Sequence, residues 1–236
     1  MLIHCDAATG LGAWRAQMPL ADRWRLVVPD RPGYGRSPSP RVDFEAESGC
    51  YIPLLGSGAH VVGHSYGGVA AMYLAAAAPG LIRSLTLVEP PAFGISDSPE
   101  VVATRDQLKQ LWADHSIDRF DFWSRFCELI GEPPWPRRPL PPQLDDGVRA
   151  LMHSRGPWEA RPDWTTLRSA QFPKLVISGG HHAGFEEIAD TIARRTVAER
   201  CTLPGRRHMV PQVGNPFNGL AEDFWQRADS ALSNKG

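Results

Sequence analysis

Ala59-His60-Val61-Val62-Gly63-His64-Ser65-Tyr66-Gly67-Gly68-Val69-Ala70-Ala71-Met72 joins two apolar runs of different character. The first run ends at Gly63, and an Ala-rich helical run begins after Ser65. Between them stands Gly-x-Ser-x-Gly, at Gly63, Ser65 and Gly67. A strand that turns straight into a helix needs residues without bulk on both sides of the turn. The residue at the tip is held in a strained backbone conformation, with its side chain pushed out above the sheet. A serine there is a candidate nucleophile. Its hydroxyl is too weak an acid to act alone, so it requires a general base and oxyanion donors.

Working outward, residues 1–4 and 24–28 read as strands, with a short helix over 14–21 between them. The second strand stops at Pro29-Asp30-Arg31-Pro32-Gly33-Tyr34-Gly35-Arg36-Ser37-Pro38, whose prolines and glycines make it a fixed loop. A helix over 44–55, a strand over 59–62 and a helix over 65–78 follow, the last ended by Pro79-Gly80. A fourth strand, 84–89, is stopped by Pro90-Pro91. The β rhythm then lapses over 92–172, which holds Trp112, Trp123, Trp135, Trp158 and Trp164. Helical runs over 100–130 and 143–153 flank a Pro-rich piece there. A strand over 174–178, a helix over 185–198, a short strand over 201–203 and an amphipathic helix over 217–231 complete the chain.

This alternation predicts an α/β fold: a mostly parallel sheet with helices on both faces and right-handed crossovers. The core spans 1–91 and 173–236, and residues 92–172 form an inserted helical lid (cap). Sites in such sheets gather at the C-terminal ends of the strands. Asp6, Asp30, Ser65, Glu89, His181 and His208 all fall just past strand ends, so one rim can collect them.

The 236 residues suffice for one α/β domain with an insertion. A formal net charge of -1, with no Lys/Arg tract, argues against nucleic acid as a partner. The longest apolar run is too short to span a bilayer, and no signal segment opens the chain, so no membrane association and a cytoplasmic location are expected. Cys5, Cys50, Cys127 and Cys201 are scattered without a CxxC, and read as free thiols in a reducing compartment. His181-His182 lacks further ligand spacing, so no metal site is expected.

In order and spacing, four segments resemble the α/β-hydrolase fold family. His4-Cys5 stands where the family usually has His-Gly, and Asp30 to Ser37 is close to its Asp-x-x-Gly-x-Gly-x-Ser loop. Gly63 to Gly68 is similar to its nucleophile elbow, and Leu203-Pro204-Gly205-Arg206-Arg207-His208 resembles its late Pro-Gly-x-x-His segment. The family's first two strands find no room before residue 1, which leaves 24–28 at an apolar sheet edge. Such an edge invites pairing, so a homodimer partner or the chain terminus is expected to cover it. At the place of the family's late Asp stands His182.

The resemblance implies a serine hydrolase that cleaves a carboxylic ester, thioester or lactone of a small apolar or aromatic molecule, with no cofactor. C–C bond hydrolase, lyase or cyclase chemistry, or non-catalytic binding of a small molecule, are the alternatives on the same scaffold. Ser65 is the expected nucleophile and His208 the base. His64 points away from the serine and is expected to be buried and hydrogen-bonded. Glu89 is the expected acid, because the haloalkane dehalogenases are similar in placing theirs after the corresponding strand; Glu186, Glu187 or no acid are the alternatives. The N–H groups of Tyr66 and, by analogy with the family, Asp6 would form the oxyanion hole. Asp30 and Arg31 are expected to lock their loop. Trp112, Trp123 and Trp158 are expected to line an apolar substrate pocket.

Overall fold

A computed structural model describes residues 1–39 and 41–233. Five parallel strands lie side by side in chain order: β1 (Leu2–Ile3), β2 (Ala59–His64), β3 (Ile82–Val88), β4 (Lys174–Ser178) and β5 (Glu199–Thr202). The helices are α1 (Gly10–Ala13), α2 (Phe44–Tyr51), α3 (Tyr66–Ala77), α4 (Pro99–Ala113), α5 (Arg119–Leu129), α6 (Pro142–Met152), α7 (Trp164–Ser169), α8 (Ala183–Thr196) and α9 (Asn215–Ser233).

Strand residues alternate between two apolar layers, as a pleat with both faces covered requires. Ile3, Val61, Leu85, Leu87 and Val176 pack into the layer that holds α2, α3 and α8. Leu2, Val62, Val88, Leu175 and Ile177 pack against Trp14 and the α9 residues Phe217, Phe224 and Trp225. Helix α3 is buried from Tyr66 to Met72, which fits its Ala-rich composition and its short reach to the sheet. Asp43, Ser98, Asp118 and Asp163 cap α2, α4, α5 and α7 through their side-chain oxygens.

The parallel register aligns the strand ends. His64 pairs with Val88, and Val88 pairs with Ile177. Ser65, Glu89 and Ser178 are therefore the next residues on three neighbouring strands. Helices α4 to α7 fill residues 92–172, between β3 and β4. The stretch between α6 and α7 meets the core, where the Tyr66 hydroxyl donates to the Arg155 carbonyl (3.0 Å) and the Arg161 N–H donates to Tyr73 (2.8 Å).

Several expected elements differ. Residues 24–28 are not a strand: they run beside the sheet edge, where the Leu2 N–H donates to the Val27 carbonyl at 2.9 Å. β1 is only two residues long and offers little ladder for them to join. Trp24 instead packs edge-on against Trp225 (5.2 Å), and its Nε1 donates to Glu222 (2.9 Å), so α9 covers part of this flank. The expected helix over 14–21 is a 3-10 stretch, Arg15–Asp22, with Pro19 inside it removing a donor. The helix over 44–55 ends at Tyr51 and continues as a short 3-10 turn.

The run over 100–130 is two helices. Asp114 accepts from the Ser116 N–H (3.0 Å) and Asp118 caps α5, so local side-chain bonds replace the helical ones between them. Helix α7 was not foreseen. Among the described residues the four cysteines are free thiols, and no helix is long and apolar enough to cross a membrane.

A Cβ on Gly67 would lie 2.4 Å from the His4 carbonyl oxygen and 2.6 Å from that of Ile3. A Cβ on Gly49, within α2, would meet nothing within 4 Å. Gly67→Ala is therefore expected to cost about 1–3 kcal/mol of stability, or to prevent folding. Gly49→Ala is expected to gain about 0.5–1 kcal/mol. Urea unfolding midpoints for the pair check this contrast.

Candidate active site

Ser65 sits between β2 and α3 at φ 54° and ψ -128°, a region that side chains rarely adopt. Its N–H donates to the Val88 carbonyl at 2.8 Å, which ties the turn to β3. The flanking glycines permit the turn, because a Cβ on Gly63 would stand 2.4 Å from the Gly67 carbonyl oxygen. Tyr66 is the first residue of α3, where N–H groups have no intrahelical acceptor and favour negative charge.

His208 arrives on the loop after β5. Its Nε2 lies 2.9 Å from Ser65 Oγ, and its Nδ1 lies 3.2 Å from Glu89 Oε2. Its own N–H donates to Glu132 Oε1 (2.7 Å), and its carbonyl accepts from His64 Nε2 (2.8 Å). The loop is thus pinned from the helical insertion on one side and from β2 on the other. Burial lowers the His208 pKa to about 3, so the imidazole is neutral in the resting site. A neutral ring with its proton on Nδ1 donates to Glu89 and accepts from the Ser65 hydroxyl.

Glu89 follows β3 at φ 48° and is fully buried. The Gly179 N–H donates to Oε1, and no arginine or lysine faces it among the described contacts. Burial raises its pKa to about 7, against the opposing pull of the Gly179 N–H and the neighbouring His181. The other acidic candidates lie elsewhere. Glu186 accepts from Ser178 Oγ and the Gly180 N–H, and Glu187 accepts from Ser96 and Thr191. His182, at the place of the family's late Asp, caps α8 by accepting from the Gly184 N–H.

Asp6 lies beside the elbow, and its carboxylate is engaged away from it. Oδ1 accepts from Arg31 Nη1 (3.0 Å) and from the Tyr34 hydroxyl (2.8 Å). Arg31 is fully buried and also bonds Glu47, itself buried, at 3.0 Å. His4 supports the same loop, with Nε2 accepting the Arg31 N–H at 2.8 Å and Nδ1 lying 2.6 Å from the Cys5 carbonyl. Asp30 accepts from the N–H groups of Gly10 and Arg36, so it braces two loops.

Two cavities meet at Ser65. One is a tight apolar chamber that includes Phe93, Leu108, Trp112, Phe126, Leu151 and Phe185. The other, larger and more open, includes Cys5, Trp123, Cys127, Glu132, Trp135 and Met209. Asp6, Ser65, Phe126, Ile130 and His208 border both. Trp112 and Trp123 thus line one cavity each. Trp158 lines neither: it packs edge-on against Trp112 at 5.5 Å and buttresses the wall, which corrects its expected role as a lining residue.

Sequence reading missed two contributors, and placed a third, His181, on the rim without its contact to Glu89. Glu132 carried no motif, and only the insertion's return over the rim brings it to His208. The Gly179 N–H is a backbone donor, invisible to side-chain patterns. His181 lies beside Glu89, with Nδ1 3.8 Å from Oε1. Among the described residues Glu89, His181 and His208 also form the group whose geometry suits a metal ion.

A family model described as "Alpha/beta hydrolase family" matches residues 1–223. A pimeloyl-acyl-carrier-protein methyl ester esterase of Methylococcus capsulatus is 38% identical over 91 residues, which cover 37% of this chain and 35% of that protein. A dihydrolipoyllysine-residue acetyltransferase component of an acetoin cleaving system, from Pseudomonas putida, is 27% identical over 221 residues, 85% of this chain and 56% of that protein. The chain thus spans between about a third and a half of these curated relatives. The crystal structure of an alpha/beta hydrolase from Sphaerobacter thermophilus superposes with a TM-score of 0.69 at 23% identity, covering 95% of this chain and 91% of that one.

Arg31 is the buried cation that neutralises Asp6 and Glu47. Arg31→Met would leave both carboxylates buried without it, at an expected cost of about 3–5 kcal/mol. Denaturant unfolding at neutral pH measures the loss.

Proposed function

The chain belongs to the alpha/beta hydrolase family, and from that premise we propose that it is a serine hydrolase cleaving a carboxylic ester, thioester or lactone through an acyl-enzyme. The observation that carries the reading is the unbroken line from Ser65 Oγ through His208 to Glu89, at 2.9 and 3.2 Å. It ends on a carboxylate buried in the fold and opens on an apolar chamber.

In this mechanism Ser65 Oγ attacks the substrate carbonyl while His208 Nε2 takes its proton. The resulting imidazolium lies against Glu89, which holds the tautomer and stabilises the charge. The oxyanion is received by the N–H groups of Tyr66 and Asp6. A carboxylate at position 6 is tolerable because Arg31 and Tyr34 bind it and offset its charge. His208 then protonates the leaving oxygen or sulfur, and water, activated by the same imidazole, releases the acid.

The apolar chamber suits an apolar acyl group. The larger cavity suits the leaving group. Residues 92–172 act as the cap that walls both, and the unpaired thiols favour a cytoplasmic setting. The names of the two curated relatives, an ester hydrolase and an acyltransferase, are in keeping with acyl chemistry.

A fluorophosphonate probe is expected to label Ser65 rapidly in the native protein and to fail in His208→Ala. No labelling at high dose would overturn the catalytic reading in favour of a binding protein. Glu89→Gln is expected to lower kcat by about 10³- to 10⁴-fold with the fold intact; turnover like that of the native protein would remove Glu89 from the mechanism.

The pH dependence has a definite sign. With the Glu89 pKa raised to about 7, the carboxyl is neutral below that value and charged above it. Only the charged form stabilises the His208 imidazolium, so kcat/KM should rise with pH through about 7 and level off. The His208 pKa is too low to set that inflection. A pH–rate profile on a p-nitrophenyl ester checks it, and the inflection should vanish in Glu89→Gln.

A further inference from the structure

His181 carries a buried ring nitrogen that the fold leaves without a hydrogen-bond partner. Its Nε2 lies 2.9 Å from the Ile130 carbonyl, which only accepts, so Nε2 carries the hydrogen. Nδ1 is the ring atom left over as a ligand. It is buried without a hydrogen-bond partner and faces Glu89 Oε1 at 3.8 Å. The side chain is only 8% exposed. A buried polar atom without a partner is costly, and a metal ion between it and the carboxylate would satisfy both.

A third ligand converges on the same point. Glu89, His181 and His208 each offer one ligand atom, and these atoms lie within 4.8 Å of one another. The His208 nitrogen facing Glu89 is Nδ1, at 3.2 Å. Zinc held at about 2.0–2.2 Å by nitrogen and oxygen ligands separates them by little more than 3 Å, so small side-chain adjustments suffice. Two imidazoles and one carboxylate suit zinc, with a water in the fourth position. Gly131 makes the room, since a Cβ there would stand 2.8 Å from His181 Cδ2.

We propose that Glu89, His181 and His208 form a zinc site that holds the protein in an inactive state. Zinc on His208 Nδ1 displaces the hydrogen from that atom. The neutral ring must then carry its hydrogen on Nε2, where it faces Ser65 Oγ as a donor and cannot accept the hydroxyl proton. The metal also takes the Glu89 oxygen that would stabilise the imidazolium. Binding itself depends only on the three ligands, whereas the loss of turnover rests on the proposed role of His208 as base.

Titration of the metal-free, full-length protein with Co²⁺, followed by visible ligand-field absorption with Zn²⁺ as competitor, tests binding without reference to activity. One equivalent should bind, and Zn²⁺ should displace it. His181→Ala and His181→Phe should weaken binding beyond the roughly 10–100-fold that loss of an outer partner costs, while His182→Ala should leave it unchanged. In a second arm, Zn²⁺ should slow fluorophosphonate labelling of the native protein and of His182→Ala, and a chelator should restore it. The His181 variants should label at the same rate with or without Zn²⁺.

Absence of stoichiometric binding to the native protein would overturn the site, as would equal affinity in folded His181 variants. Metal-free protein that never labels would instead defeat the catalytic reading, and the Co²⁺ titration would still decide the site.

Discussion

The backbone of β1 and the first turn of α3 touch so closely that only glycine fits between them. The measure is the 2.4 Å that would separate a Gly67 Cβ from the His4 carbonyl oxygen. This approach brings the loop after β1 beside the elbow, so that Asp6 can border the same cavities as Ser65 and Tyr66. It also accounts for the turn itself. Gly63 and Gly68 leave space on the inner side, and Ser65 absorbs the change of direction at φ 54°. Strain at one residue is sustained because the strand before it and the helix after it are both buried.

Two buried charged groups near the rim are handled differently. Arg31 lies between Asp6 and Glu47 and is held charged by them, its pKa well above the usual value. Tyr34 and Tyr51 complete the hydrogen bonding of that cluster. Such a group depends on its cation, because removing Arg31 leaves two carboxylates buried without one. Glu89 has a backbone N–H and two imidazoles around it, and no arginine among its described contacts. Its charge is therefore only marginally favoured at neutral pH. The first arrangement fixes the loops; the second leaves a carboxylate whose state responds to a proton, an imidazolium or a metal.

The α/β architecture, the elbow, the insertion and the rim were legible because each rests on a local signal: apolar runs, glycine and proline punctuation, and strand ends. Ser65, His208 and Glu89 were legible as neighbours for the same reason, since parallel strands deliver their ends to one edge. The strand expected over 24–28 shows the limit of local signals. Its composition suits a strand, but strand pairing needs a partner, and two-residue β1 offers almost none. Trp158 shows another limit. Composition identified an aromatic insertion, but which ring faces the cavity and which stands behind Trp112 depends on how α4 to α7 pack. Glu132 was out of reach for a related reason: it acts on a residue far away in the chain.

The row of strand ends explains why an acid after β3 can serve a serine after β2. In parallel register, His64 stands beside Val88 and Val88 beside Ile177. Ser65 and Glu89 thus occupy equivalent places on adjacent strands, about 4.8 Å apart by strand spacing. Each has positive φ, and each N–H donates to the carbonyl at the end of the next strand, Val88 and Ile177. The two side chains therefore leave the sheet in a similar way, with Glu89 reaching further by its longer stem. An imidazole entering from the loop after β5 then spans from hydroxyl to carboxylate, using both its nitrogens. With the carboxylate supplied from β3, the end of β4 is free for other groups. Gly179 donates its N–H to Glu89 there, and His181 turns its Nδ1 toward the same oxygen.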